Sequence, residues 1–155
     1  MIVVSDTSPI NYLVQLGIID ILPELFETVF IPMEVVRELT SKRTPLPVRE
    51  WIDSPPDWLE IRQNTLLVIS PQADPGETAA IALAMELHSD YIAIDDLEGR
   101  EIARAQNLQI IGTVGIIERA HQAGLLDLKT SLDELLKTNF RISETIVKRV
   151  LDRNS

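Results

Sequence analysis

Short apolar, β-branched runs that hand over directly to helical periods narrow the folds open to this chain more than any other feature. Ile2-Val3-Val4-Ser5, Thr28 to Ile31, Tyr91-Ile92-Ala93-Ile94 and Gln109 to Ile111 read as buried strands. After the first, Ser8 and Pro9 form the usual helix-entry pair of N-cap and N1 residue, and Ile10, Leu13 and Leu16 keep a helical period until Gly17. After the second, Pro32 opens a helix holding Val35, Val36 and Leu39; after the third, a helix runs from Leu97 to Gln106. After the fourth, Gly112-Thr113 leads into a helix ending near Gly124. Strand followed by helix, repeated in this way, predicts a parallel sheet with helices on both faces.

The remaining segments are placed around that alternation. A short helix is expected from Ile19 to about Phe26. Residues 41–74 are broken by five prolines, and read as an insertion or cap with a short helix near Val48 to Ile52, a strand around Leu59 to Arg62 and an apolar stretch at Leu66 to Ile69. Asp74-Pro75-Gly76-Glu77 starts a helix that continues to about His88, alanine-rich and apolar on nearly every side, so its place is central. Two more helices are expected in about 131–153. Ser131 and Glu134 have capping-box spacing, and Ser143 caps a helix whose stripe Ile146, Val147, Val150 and Leu151 is expected to pack on the parent domain, with a second subunit or partner protein as the alternative. The chain is most simply one domain of 155 residues, with its core in about 1–124.

Carboxylates stand where strands give way to helices. Asp6 follows the first strand, Glu77 opens the alanine-rich helix, and Asp95 and Asp96 end the run from Tyr91. Ligands of open α/β sheets bind outside the carboxyl ends of the strands, so these acids can meet although they lie far apart in sequence. Clustered carboxylates raise one another's pKa unless a cation sits among them, and hard divalent ions take such oxygen ligands. Structural duties compete for some of these acids. Glu77 with Asp74, and Glu98 with Asp95, have the spacing of capping boxes, and acids in a first helical turn complement the helix dipole. Asp6 has no such duty, because Ser8 is the better cap. Glu34 is explained by the dipole; Glu38, one turn on, reads by itself as a solvated residue paired with Lys42.

Composition excludes several chemistries. The chain has no cysteine and two histidines, so thiolate and histidine-rich metal sites are ruled out. A net charge of −10 argues against a broad basic nucleic-acid surface but not against a nuclease, whose bound metal would reverse the local potential. Dinucleotide and P-loop glycine motifs and a GxSxG elbow are all missing from the sequence. No apolar run reaches membrane-spanning length, and the first residues lack a secretory pattern, so a cytoplasmic protein without membrane association is expected.

Taken in order, Val4-Ser5-Asp6-Thr7-Ser8-Pro9, Ile31-Pro32 with Glu38-Leu39, Gly76-Glu77-Thr78-Ala79-Ala80-Ile81-Ala82-Leu83-Ala84, Ile94-Asp95-Asp96 with Arg100, and Ile111-Gly112-Thr113 resemble the PIN-domain family. Within it, the chain looks most like the compact bacterial and archaeal PIN-like proteins related to VapC toxin ribonucleases. The resemblance implies a three-layer α/β/α fold and an acidic pocket binding Mg²⁺ or Mn²⁺. It also implies metal-dependent endonucleolytic cleavage of RNA to 5′-phosphate and 3′-hydroxyl ends. By position Asp6 matches the first acid, Glu38 the second, Glu77 the third, and Asp95 or Asp96 the fourth. Asp6, Glu77 and Asp95 or Asp96 would hold metal, with Glu38 acting directly or through water. A small antitoxin partner and a homodimer are further implications. Two departures stand out: Glu77 occupies a position more commonly Asp, and Ala93-Ile94 replaces the usual Thr or Ser before the fourth acid.

Other readings compete with the nuclease. The alternative is the same fold as a catalytically inactive module that binds RNA or protein; an acyl-phosphate phosphatase or receiver domain lacks its second aspartate and late lysine. Arg37, Lys42, Arg43, Arg100 and Arg104 are expected to neutralise nearby carboxylates rather than to track an RNA backbone.

Overall fold

A computed structural model of the chain describes residues 1–63 and 74–155. The elements run β1 (Ile2–Ser5), α1 (Thr7–Gln15), α2 (Ile21–Leu25), β2 (Thr28–Pro32), α3 (Met33–Leu39), α4 (Leu46–Asp53) and β3 (Leu59–Arg62). They continue as α5 (Pro75–Leu87), β4 (Tyr91–Ala93), α6 (Leu97–Ala105), β5 (Ile110–Ile111), α7 (Thr113–Gln122), α8 (Leu128–Leu136) and α9 (Glu144–Asp152). Apart from the start of α8, the expected strands and helices among the described residues fall within about two residues of these bounds. The stretch Leu66 to Ile69 lies outside the described residues.

The described strands form one sheet in the order β3-β2-β1-β4-β5, and every neighbouring pair is parallel. Alternate side chains of each strand point to opposite faces, and both faces are covered. Val3, Val29, Ile31 and Ala93 join one core with Ile10 and Leu13 of α1, Val35 and Leu39 of α3, and Ile116, Ile117 and Ala120 of α7. Val4, Phe30 and Ile92 join the other with Ala80, Ile81, Leu83 and Ala84 of α5 and Ala103 of α6. The result is the three-layer α/β/α arrangement with a central parallel sheet.

Three local expectations need correction. The described part of the segment after residue 41, up to residue 63, belongs to the domain body: β3 pairs with β2, and Val48 and Ile52 of α4 enter the larger core. Asp6 rather than Ser8 occupies the N-cap of α1, and its side chain makes no cap bond. Helix α8 begins before Ser131, capped by Asp127, which accepts from Thr130 N at 2.9 Å, while Ser131 is buried inside the helix. Ser143 does cap α9, accepting from Ile146 N at 3.2 Å.

The sheet order reverses direction beside β1: its sequence neighbour β2 lies on one side and β4 on the other. A crevice opens at such a switch point, outside the strand carboxyl ends. Asp6 leaves β1 there and Asp95 leaves β4, and Asp6 N donates to Ala93 O at 2.8 Å across the gap.

Candidate active site

A cavity of about 810 Å³ occupies this crevice, and Asp6, Glu38, Asp74, Glu77, Asp95 and Asp96 all line it. The five acids singled out in the sequence therefore meet in one place, joined by Asp74. Glu34, the lesser alternative, is not among the lining residues.

Ligand oxygens of Asp6, Glu38 and Asp74 lie within 4.8 Å of one another. Asp6 is 4% exposed, and its Oδ1 is a buried atom without a hydrogen-bond partner. Burial, with lesser contributions from Asp74, Glu77 and Glu38, pushes its pKa well above the usual carboxylate range, despite the opposing Thr7 amide.

Glu38 is fixed from two sides. Thr7 Oγ1 donates to its Oε2, and Gly76 N donates to its Oε1 at 3.1 Å. A Cβ on Gly76 would stand 2.5 Å from Glu38 Oε2, so any other residue there has to displace the Glu38 carboxylate. The expected pairing of Glu38 with Lys42 is not formed. Burial and Asp74 raise the Glu38 pKa against the Thr7 and Gly76 bonds.

Asp74 caps α5, its Oδ1 accepting from Glu77 N at 2.7 Å, as the capping-box spacing anticipated. That cap reading hid its second position, beside Asp6 and Glu38. Glu77, buried in the first turn of α5, has its pKa raised to about 7 by burial first and then by Asp74 and Asp96.

Asp95 and Asp96 part company. Asp95 Oδ1 accepts from Thr113 N at 2.7 Å, and its Oδ2 accepts from Ser8 Oγ and Thr113 Oγ1, both at 2.6 Å. The hydroxyl missing at 93–94 thus reaches this acid from two other elements. Asp96, not Asp95, caps α6: its Oδ2 accepts from Glu98 N at 3.1 Å and Gly99 N at 3.3 Å. Asp95 ties the starts of α1 and α7 to the end of β4, whereas Asp96 acts on Glu77.

The expected neutralisation of these acids by basic residues takes no direct form. Among the described residues, Arg37, Lys42, Arg43, Arg100 and Arg104 form no ion pair. Arg100 lines the cavity and its Nε donates to Ile94 O at 3.0 Å. Residues 139–143, on the connection into α9, and Ile146 of α9 complete the cavity lining. This wall was not foreseen, because the stripe on α9 divides: Val147, Val150 and Leu151 pack on the core while Ile146 faces the cavity.

No protein of curated function matches the sequence. A solved structure that matches is a PilT N-terminus domain protein from the hyperthermophilic archaeon Sulfolobus solfataricus P2. The match has a TM-score of 0.52 at 12% identity and covers 92% of this chain and 100% of that one, a likeness of fold. No helix among the described residues is long and apolar enough to cross a membrane. The family model described as "PIN domain" matches residues 2–155. With the parallel α/β/α fold and the acids gathered at its switch point, the chain belongs to the PIN-domain family, whose members are typically nucleases that use divalent metals.

Proposed function

We propose that the protein is a divalent-metal-dependent endoribonuclease that hydrolyses RNA phosphodiester bonds to 5′-phosphate and 3′-hydroxyl ends. The observation that carries this reading is the buried, unpartnered Asp6 Oδ1 among the oxygens of Glu38 and Asp74. An isolated cluster of this kind is costly in a low-dielectric site, and oxygen-only donors suit Mg²⁺ or Mn²⁺. The residues present fit the ion.

Asp6, Glu38 and Asp74 would hold it, with Glu77 and Asp96 bordering the same space; Asp95 serves as a positioning residue. Once bound, Mg²⁺ or Mn²⁺ supplies a water of lowered pKa and neutralises charge developing on the phosphate. The chain's own groups prepare the place. Thr7 and Gly76 hold Glu38 in one orientation, so little reorganisation is left for binding. Ser8 and Thr113 lock Asp95, which fixes the turn carrying Asp96. Glu77, with its pKa near neutrality, is able to carry a proton in the free protein and surrender it when a cation enters.

The toxin role, a small antitoxin seated in the pocket and a homodimer belong to the same proposal and are supported by the resemblance to VapC-like proteins. The deciding experiment is cleavage of a mixed RNA panel with Mg²⁺, Mn²⁺ or EDTA, comparing wild type with Asp6→Asn. Metal-dependent cutting that disappears in the variant is expected. Products ending in 2′,3′-cyclic phosphate would overturn the hydrolytic route, and a folded wild type that never cuts would leave a binding module.

A further inference from the structure

The cavity that holds the acids is also lined by a wall of different chemistry. Tyr12 and Phe140 meet edge to face with ring centroids 4.9 Å apart and planes at 83°. Tyr12 Oη donates to Asn139 Oδ1 at 2.8 Å, which ties α1 to the connection between α8 and α9. Both rings rest on the larger core and also line the cavity. Arg141 follows Phe140 on the lining; it is exposed and forms no ion pair among the described residues. Ile142 and Ile146 continue the wall, and Leu97, 74% exposed, adds an apolar side chain to the lining.

We infer that this wall is a binding subsite for single-stranded RNA, in which Phe140 and Tyr12 receive an unpaired base and Arg141 holds a backbone phosphate next to the reacting one. The inference rests on the nuclease reading for the identity of its ligand. Three observations support that occupant. The wall lines the same cavity as the acid cluster, so a chain whose phosphate sits among the acids can bring a neighbouring nucleotide against residues 139–143 and Ile146. Of the cavity's lining residues only Arg100 and Arg141 are cationic, and Arg100 is committed through Nε to Ile94 O, which leaves Arg141 as the freer phosphate contact. Aromatic and aliphatic surface beside a cation suits a base that has left its stack, because single strands are held by stacking together with backbone charge. A duplex keeps its bases paired and stacked, and gains nothing from this wall.

The test is fluorescence anisotropy of labelled single-stranded and duplex RNA of equal length, measured in the uncleaving Asp6→Asn background. That protein is compared with versions also carrying Phe140→Leu or Arg141→Ala. Phe140→Leu keeps an apolar side chain against the core, and Arg141 is exposed, so thermal denaturation should show both variants folded. Single strands are expected to bind more tightly than duplex, and Phe140→Leu to weaken the single strand by about tenfold. Arg141→Ala is expected to lower the slope of log affinity against log salt by about one. Equal affinity for the two RNAs, or unchanged affinity and salt slope in the variants, would overturn the subsite. So would failure of the parent to bind either RNA, which would leave a protein segment as the wall's occupant. The wild-type cleavage assay is a separate result: binding that depends on Phe140 and Arg141 in a protein that never cuts would sustain the subsite and defeat the nuclease.

Discussion

Two adjacent aspartates with the same chemistry have been given different work by their surroundings. Asp95 meets three donors, from Ser8 and Thr113, and has both oxygens occupied. An amide at this position offers one acceptor oxygen and turns an NH₂ group toward a donor. Asp95→Asn is therefore expected to destabilise the protein by about 1–3 kcal/mol. Asp96 uses one oxygen as a helix cap, a role that Asn fills nearly as well. Asp96→Asn is expected to leave the metal-free melting temperature within a degree or two while reducing the shift produced by Mn²⁺. Thermal denaturation of both variants with and without Mn²⁺ checks the division, and the opposite pattern would reverse the two assignments. Sequence alone left this choice open, because it is made by Ser8 and Thr113, which lie far from the pair along the chain. Asp74 was missed for a related reason: a cap is a sufficient explanation of an Asp before Pro-Gly-Glu, and only packing against α3 shows its second neighbourhood.

At the scale of elements, the alternation of strand and helix was legible because β1, β2 and β4 are largely buried and α1, α3, α6 and α7 follow their strands closely. The errors fell where tertiary packing overrides a local rule. Ser8 has the residue type of a cap, yet the close pairing of β1 with β4 places Asp6 at that position and directs Ser8 to Asp95. The wall from 139 to 146 could not be read at all, since it depends on how α8 and α9 dock. The start of α5 delivers Asp74 and Glu77 to the pocket within one turn, and Gly76 between them lies against the Glu38 carboxylate of α3. Gly76→Ala places a methyl group against the Glu38 carboxylate. A loss of about 1–3 kcal/mol is expected, with a weakened Mn²⁺-induced stabilisation, because Glu38 has to move. Calorimetry of the variant measures both effects. Unchanged stability and metal response would show that the two elements have more room than their contact implies.

For the molecule as a whole, the acid cluster links folding to pH. Glu77 titrates near 4.5 as an ordinary carboxylate and at about 7 in the folded protein. Between those values the folded state binds more protons than the unfolded state, so stability falls as pH rises through this window. Asp6 and Glu38 are shifted in the same direction. The metal-free protein is thus expected to melt several degrees higher at about pH 5 than at about pH 8. Mn²⁺ should restore stability at the higher pH and do little at the lower, where protons compete for the same oxygens. Melting curves across pH with EDTA or Mn²⁺ settle the sign; a metal-free protein that gains stability toward pH 8 would contradict the burial of these charges.

The pairing of β1 with β4 also has a meaning in time. Strand β1 leaves the ribosome early, but the carboxylate behind it finds no neighbour from β4 until residue 96 has emerged, and the aromatic side of the pocket arrives only with residues 139–146. Contacts so distant along the chain form late. A nascent chain cannot assemble the cleft while most of it is still being made, so the acid cluster stays incomplete and without its aromatic neighbours throughout that interval.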